Sequence, residues 1–545
     1  MAAAPAVSRV NWPVFIVSAV IIVAVTLWVA LDPNAFTTLE TAFGWIGQYL
    51  GWYFILTAAI VVVFVLIIAF SRVGRTKLGP DHSTPKFNLF TWTAMLFAAG
   101  IGVDLMFFSV VGPATNLRVG PGLDEAGMAA AEQAALWTMF HYGIPGWAMY
   151  ALMGMAFGLF AYRYHLPLSI RSALYPIIGK RAQGRTGDAV EIGAVIGTIF
   201  GIATSLGIGV VFLSFGLGWV FGIEAGAGVQ VALIVLAAVV VTFSTYSGIE
   251  RGIRRLAELN VLVAIGLMLY VLISGETVHL LNALVKNIGD FIALFPGMLT
   301  ETFAYDSSPE WLDEGWVEWW TIFFWAWWMA WAPFVGLFLA RISRGRTLRQ
   351  FVVGVLVVPF AFIALWISIF GNATVSRILD GDAAFAAEAE DFSGAGYYSL
   401  MAEFPGATFI IGVSVLVGLL FYVTSADSGS LVLANFTSKA SDTNSDGPAW
   451  LRVVWSVIIG ALTLAMLLVD TEEGAGIYSL QMATVIIGLP LSVILYLLMA
   501  GVWRALRMER YSAEAGEATL PSALSERIDA PIVVNLGFRR CGGLS

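Results

Sequence analysis

Thr321–Phe338 reads TIFFWAWWMAWAPFVGLF, which sets Trp325, Trp327, Trp328 and Trp331 within seven residues and carries no charge. Tryptophan is bulky, has a polar N–H and gathers at membrane boundaries more than at mid-span. At about 100° per residue, Trp327, Trp331 and Trp328 fall at roughly 0°, 40° and 100° round a helix, on one face. Trp325 lies further round, at about 160°, where packing against a neighbouring helix is expected. Such a stripe is either core packing or the wall of a binding site. The residues around it have to decide.

The chain has 545 residues, 59% hydrophobic and only 12% charged. A soluble domain carries about twice that charged fraction, so this is an all-α membrane protein whose core is built in lipid. The single cysteine, Cys541, excludes an intramolecular disulfide and any Cys-based metal site. His82, His141, His165 and His279 are scattered without metal-ligand spacing, so no metal or cofactor is expected, and nothing points to nucleic acid. No cleavable signal peptide is expected either, because the first apolar run, from Pro13, is long enough to span and no small-residue cleavage site follows it.

Runs of about 20 apolar residues mark membrane-spanning helices. Twelve are predicted, starting near residues 13, 51, 88, 134, 189, 229, 256, 316, 351, 407, 449 and 476. With the N-terminus in the cytoplasm, all but three of the 28 Lys and Arg residues fall on the cytoplasmic side; Arg118, Lys286 and Arg377 are the three outside. That asymmetry follows the positive-inside rule and supports twelve spans with both termini inside. Thr277–Phe295, TVHLLNALVKNIGDFIALF, is predicted to be an interfacial amphipathic helix. The basic linkers RISRGRTLRQ and YRYHLPLSIRSALYPIIGKRAQGR read as positive-inside anchors, with contact to membrane lipids as the alternative. The polar tail beyond Trp503 shows no packed-domain pattern.

Transporters bind solute near the bilayer midplane, where Gly or Pro interrupts helices at corresponding positions of two inverted halves. Span 3 reads TAMLFAAGIGVDLMFFSVVGP, with Gly100, Gly102 and Asp104; five spans later, span 8 carries the tryptophans, then Pro333 and Gly336. Span 3 runs outward and span 8 inward, so five-helix units starting at each are inverted. Local unwinding there frees carbonyls to coordinate an ion or solute. Asp104 is the one acid deep inside spans 1 to 9, a costly placement that marks a functional residue. Asp427, in YVTSADSGS of span 10, reads as structural, while Thr424 and Ser425 offer oxygens to a hard monovalent cation.

Span 4 then bears on the tryptophans. FHYGIPGWAMY places Tyr142, Trp147 and Tyr150 around a Gly-Ile-Pro-Gly break. Two aromatic clusters at comparable depth, each beside a helix irregularity, can build a cage. Aromatic cages hold quaternary ammonium groups, which have no N–H to donate and are drawn to ring faces. The ligand expected is a methylated ammonium.

WTIFFWAWWMAWAPFVGLFLARISRGRTLRQF resembles the signature segment of the betaine/choline/carnitine transporter family. MLFAAGIGVDLMFFSV, WAMYALMGMAFGLFAYRYHLPLSIRSALYPIIGK and YVTSADSGSLVLAN resemble it in the same order, over about residues 10–505. The resemblance implies two inverted five-helix repeats (spans 3–7 and 8–12) preceded by two extra helices, a homotrimer and a bacterial cytoplasmic membrane. It divides the chain into residues 1–87 (spans 1 and 2), 88–274 (first repeat), 275–315 (outer connection), 316–503 (second repeat) and 504–545 (cytoplasmic tail). It implies an aromatic box at Trp147, Tyr150, Trp327, Trp328 and Trp331, with Tyr142 where relatives often have Trp. In sodium-coupled members an ion site uses positions matching Ala98, Ile101, Thr424 and Ser425. The Gly-x-Gly-x-Asp form of span 3 resembles the choline carriers; zwitterion carriers typically have Gly where Asp104 stands. Choline is a net cation and wants a counter-charge, whereas betaine brings its own carboxylate, which an interior Asp repels. Asp104 can also bind a proton, so proton coupling is what the resemblance implies.

Two departures stand out. Val111-Gly112-Pro113 replaces the Ala-Glu-Pro common in choline-type relatives, and the C-terminal region is shorter than theirs. The expected function is proton-coupled import of choline. Sodium-coupled uptake of glycine betaine is the alternative, with carnitine-type exchange behind it. A channel would want a polar or charged lining. An enzyme would need a nucleophile or metal constellation, and no HExxH, Ser/His/Asp arrangement or nucleotide loop is present.

Overall fold

The computed structural model describes residues 9–98, 102–121, 128–247, 250–305, 312, 314–439, 446–469 and 475–514. The described chain is helical except for one antiparallel pair of two-residue strands, β1 (Arg9–Val10) and β2 (Ser438–Lys439). The helices are α1 (Trp12–Leu31), α2 (Ala35–Phe70), α3 (Leu89–Ala98), α4 (Val103–Arg118), α5 (Met128–Tyr142) and α6 (Ile144–Gly158). Then come α7 (Arg185–Phe221), α8 (Ala227–Ser247), α9 (Glu250–Ser274), α10 (Thr277–Met298), α11 (Phe323–Ile342) and α12 (Leu348–Leu379). Two short helices, α13 (Ala383–Glu390) and α14 (Ala395–Ala402), precede α15 (Ala407–Phe436), α16 (Ala449–Leu467) and α17 (Ala475–Glu514).

Among the described residues eleven helices are long and apolar enough to cross a membrane. They fix a multi-pass helical membrane protein. They do not map one to one onto the twelve predicted spans. Predicted span 3 is divided into α3 and α4, each too short alone, and the apolar part of α9 described is short. The stretch predicted to be interfacial forms α10, 22 residues, with Val278, Leu281, Val285, Ile288 and Ile292 exposed. By length and composition α10 belongs with the eleven.

The tryptophan-bearing helix α11 sits at the centre, packed along α6, α7 and α17. It is entered through a π-helical turn, Val317–Ile322, of the kind that often marks functional segments. The unwinding expected at Pro333 and Gly336 is absent: α11 stays helical through both. Gly336 instead lets two helices touch, since a Cβ there would lie 2.6 Å from Met153 Cγ and 2.9 Å from the Gly154 backbone nitrogen. The two span-4 segments do break where predicted. α5 ends at Tyr142, Gly143 is the N-cap of α6, and Pro145 occupies its first turn, where no N–H is required.

Contacts between connections agree with the charge sorting. Lys77 bridges to Thr347, Asn11 donates its backbone N–H to the Thr437 carbonyl, and Arg163 pairs with Asp81 and Glu509. All of these segments were predicted on the basic side. On the other side Arg118 pairs with Glu390, and Lys286 with Glu132 and Asp290. The first residues of the predicted tail, 504–514, continue α17; the rest of it lies outside the described residues.

Asp382, in the connection after α12, caps α13 by accepting the Phe385 N–H and also accepts from Arg377. These partners, the backbone N–H foremost, hold its carboxyl below the usual carboxylate range. The cap therefore contributes fully above the ordinary aspartate pKa and is lost as pH falls through the depressed one. Amide exchange in α13, corrected for intrinsic rates, is expected to be constant from about pH 5 to 8 and to quicken below about pH 4. The Asp382→Asn variant should lose that acid response; an equal response in both would contradict the cap.

Candidate functional site

A cavity of about 380 Å³ opens between α4, α6, α11 and α15. Gly102 and Asp104 from the start of α4, and Tyr142, Trp147 and Tyr150 from the span-4 break, line one side. Trp328, Trp331, Phe334, Phe338 and Arg341 come from one face of α11, and Thr424, Ser425 and Ser428 from α15. Of the residues predicted to bind substrate, Asp104, Tyr142, Trp147, Tyr150, Trp328 and Trp331 meet in this cavity. Trp327 does not. It is fully buried beside it, stacked between Phe323 (5.2 Å, 21°) and Trp328 (4.8 Å, 12°).

Asp104 lies in the first turn of α4, where the free backbone N–H groups and the helix dipole favour a negative charge. The preceding cap, Gly102, is extended (φ −148°, ψ 169°), and a Cβ there would sit 2.4 Å from Asp104 Oδ1. Glycine here leaves room for the carboxyl to fold back over the helix start. Tyr142 Oη donates to the other oxygen, Oδ2, at 3.4 Å.

The indoles are held by their N–H groups. Trp328 donates to the His141 carbonyl at 2.7 Å, and Trp331 to the Gly201 carbonyl at 2.8 Å. Trp327 donates to the same Gly201 carbonyl at 3.3 Å. A Cβ on Gly146 would lie 2.7 Å from Trp328 Cδ1, so that glycine lets the ring lie against the α6 backbone. Trp328 meets Tyr142 and Tyr150 edge to face, at 5.3 and 6.0 Å, and Trp147 meets Tyr150 likewise at 5.3 Å. Trp325 packs away from the cavity, edge to face with Phe140 at 5.3 Å.

One turn further towards the start of α11, Phe324 meets Phe108 at 5.2 Å, and Phe108 meets Trp320 and Phe392 at 5.9 and 6.1 Å. Phe108 and Phe324 of this layer pack against the Tyr142 and Trp328 rings that line the cavity, and Arg341 lines it near the far end of α11. Neither feature was singled out from sequence, although Trp331, Phe334, Phe338 and Arg341 follow one another at helical spacing. Arg341 pairs with Asp446 at 3.1 Å. The expected structural role of Asp427 fits its pair with Arg452 on α16, at 3.0 Å.

The residues expected at an ion site are only partly visible. Thr424 Oγ1 donates to the Leu420 and Phe421 carbonyls at 2.8 and 3.1 Å, and Thr424 and Ser425 both line the cavity. Ala98 is the last residue of α3. Ile101 and Gly100 lie outside the described residues. Gly112 is packed where a Cβ would lie 2.6 Å from Thr138 Oγ1.

A sequence profile of betaine/carnitine/choline family transporters matches residues 13–511, nearly the whole chain. The chain belongs to that family. It is 53% identical over 525 residues to the high-affinity choline transport protein of Escherichia coli strain K12, covering 95% of this chain and 76% of that protein. The osmo-dependent choline transporter BetT2 of Acinetobacter baylyi is 50% identical over 505 residues, 92% of this chain and 72% of the relative. A glycine betaine transporter of the same organism is 38% identical over 510 residues, 93% and 75% of the two chains. The protein is accordingly a membrane transporter and not an enzyme.

Proposed function

We propose that this betaine/carnitine/choline family transporter imports choline, or a closely related quaternary ammonium, across a bacterial cytoplasmic membrane. The observation that carries the reading is that Asp104, the carboxylate among the residues lining the cavity, shares its wall with the rings of Tyr142, Trp147, Tyr150 and Trp328. Ring faces attract a trimethylammonium that has no N–H to satisfy, and the carboxylate supplies the counter-charge a net cation needs. The names of the Escherichia coli relative and of BetT2 from Acinetobacter baylyi, each at least 50% identical, support choline over betaine.

Coupling follows from the same carboxyl. A proton and a quaternary cation compete for Asp104, so arrival of choline from outside favours release of the proton and departure inside favours its return. The cavity reaches Arg341 on the basic side, while Phe108 and Phe324 pack behind its Tyr142 and Trp328 rings, which suits a state releasing solute to the cytoplasm. The twelve spans, the inverted repeats over residues 88–274 and 316–503, cytoplasmic termini and a homotrimer complete this reading. Sodium-coupled betaine uptake is the second reading, favoured by the Thr424 and Ser425 hydroxyls in the cavity wall.

Purified protein in liposomes, given labelled choline or labelled betaine with pH and sodium varied independently, separates the two. Choline uptake that is indifferent to sodium and driven by an outward proton gradient, the direction that exchange at Asp104 requires, is expected. Betaine uptake that requires sodium and ignores the proton gradient would favour the second reading.

A further inference from the structure

Tyr142 stands in the cavity wall, yet its hydroxyl does not face an empty space. Its ring is fixed edge to face between Phe324 (5.2 Å, 65°) and Trp328 (5.3 Å, 70°) and lies 5.9 Å from Phe108. Three rings from two helices, α4 and α11, leave it little freedom. Among the described residues its hydroxyl has one hydrogen-bond partner, Asp104 Oδ2. Asp104 Oδ1 is turned towards Gly102.

The charged or titratable groups lining the cavity are Asp104, Tyr142, Tyr150 and Arg341. Tyr150 belongs to the Trp147 and Trp328 side, and Arg341 is 13 residues beyond Trp328, about 20 Å along α11. α15 presents the hydroxyls of Thr424, Ser425 and Ser428 beside apolar Phe421, Leu431 and Val432, α9 presents Val261, and α12 presents Ile363. His141, next to Tyr142, is turned away to Thr321 at 3.0 Å. Tyr142 is therefore the side chain placed to answer a change of charge on Asp104.

We propose that Tyr142 is a positioning residue for Asp104, a hydroxyl that follows the carboxyl through both of its protonation states. A phenol donates to the carboxylate when the quaternary cation is bound and accepts from the acid O–H when the proton is bound. An indole in its place only donates, and a phenyl ring does neither. Tyr142 thus sets the pH range in which the cavity holds its cation. The proposal rests on the reading of Asp104 as the counter-charge.

The test is choline binding to the full chain from pH 5 to 8.5, followed by tryptophan fluorescence. It compares wild type, Tyr142→Phe and Tyr142→Trp, each with and without Asp104→Asn. Removing a donor to the carboxylate should move the acid limb of the profile up by about one pH unit, so that choline binding weakens up to about tenfold on that limb and little at the alkaline end. Tyr142→Trp, which keeps a donor for the carboxylate and offers nothing to the acid, should move the limb the other way. With Asp104→Asn present, Tyr142→Phe should change affinity by less than about twofold. If Tyr142→Phe does not fold, the direction of the Tyr142→Trp shift decides. Equal weakening at every pH, or limbs that move together in the two variants, would reduce Tyr142 to a wall and overturn the proposal. Wild-type choline binding by Asp104→Asn itself would instead overturn the reading of the site, and this proposal with it.

Discussion

Replacing Asp104 with Asn is expected to cut choline binding and uptake on the order of 100-fold in a protein that still folds and reaches the membrane. Asn keeps the size and can still accept from Tyr142, so the loss isolates the charge. A carboxylate about 5 Å from a trimethylammonium, at an effective dielectric of about 20, contributes about 3 kcal/mol, which corresponds to that factor. The magnitude depends on where Asp104 lies: in the first turn of α4, beside a glycine cap, with no cation paired to it among the described residues. The pH dependence of uptake should flatten as well, because the group that exchanges proton for choline is gone. Uptake measured in liposomes across pH 5.5 to 8.5 checks both. An Asn variant with wild-type affinity and pH dependence would make Asp104 structural.

The second large effect is expected at Trp328. Its indole lines the cavity, is held by the His141 carbonyl and meets two tyrosines edge to face. Trp328→Leu keeps apolar bulk and removes the ring. A desolvated cation–π contact is worth about 2 kcal/mol, so choline affinity should weaken on the order of 30-fold. Trp327 provides the contrast from the same helix. Buried under Trp328 and away from the cavity, its Leu variant should lose about 2 kcal/mol of stability through packing, with a smaller change in affinity. Thermal unfolding and choline titration of the two variants side by side check this. Equal affinity losses at both positions would mean that the tryptophans act as one packed block.

These two neighbours also show how far the sequence could be read. One aromatic face on α11 follows from helical spacing, and so does the separation of Trp325 from it. Which of Trp327 and Trp328 reaches the cavity does not follow, because about 100° of rotation separates them and only the position of α6 decides. Gly146 makes that decision by letting the Trp328 ring lie against its backbone. The break at Gly143 and an interruption of span 3 at the glycines before Asp104 were legible, since Gly and Pro act locally on the backbone. The continuity of α11 through Pro333 and Gly336 was not. The same two residue types that unwind a helix also let helices pack, and the neighbour across the interface, here Met153 and Gly154, selects between these outcomes. The aromatic layer of Phe108, Phe324 and Phe392 joins three distant segments and leaves no spacing signal in any of them.

The most direct measurement is competition between choline and glycine betaine for the purified transporter, compared in wild type and Asp104→Gly. If one carboxylate in an aromatic cavity selects a net cation, the wild type binds choline more tightly, and Asp104→Gly shifts the preference towards betaine by removing the charge that repels its carboxylate. A wild type that prefers betaine, or a preference for choline that survives Asp104→Gly unchanged, would contradict that selection.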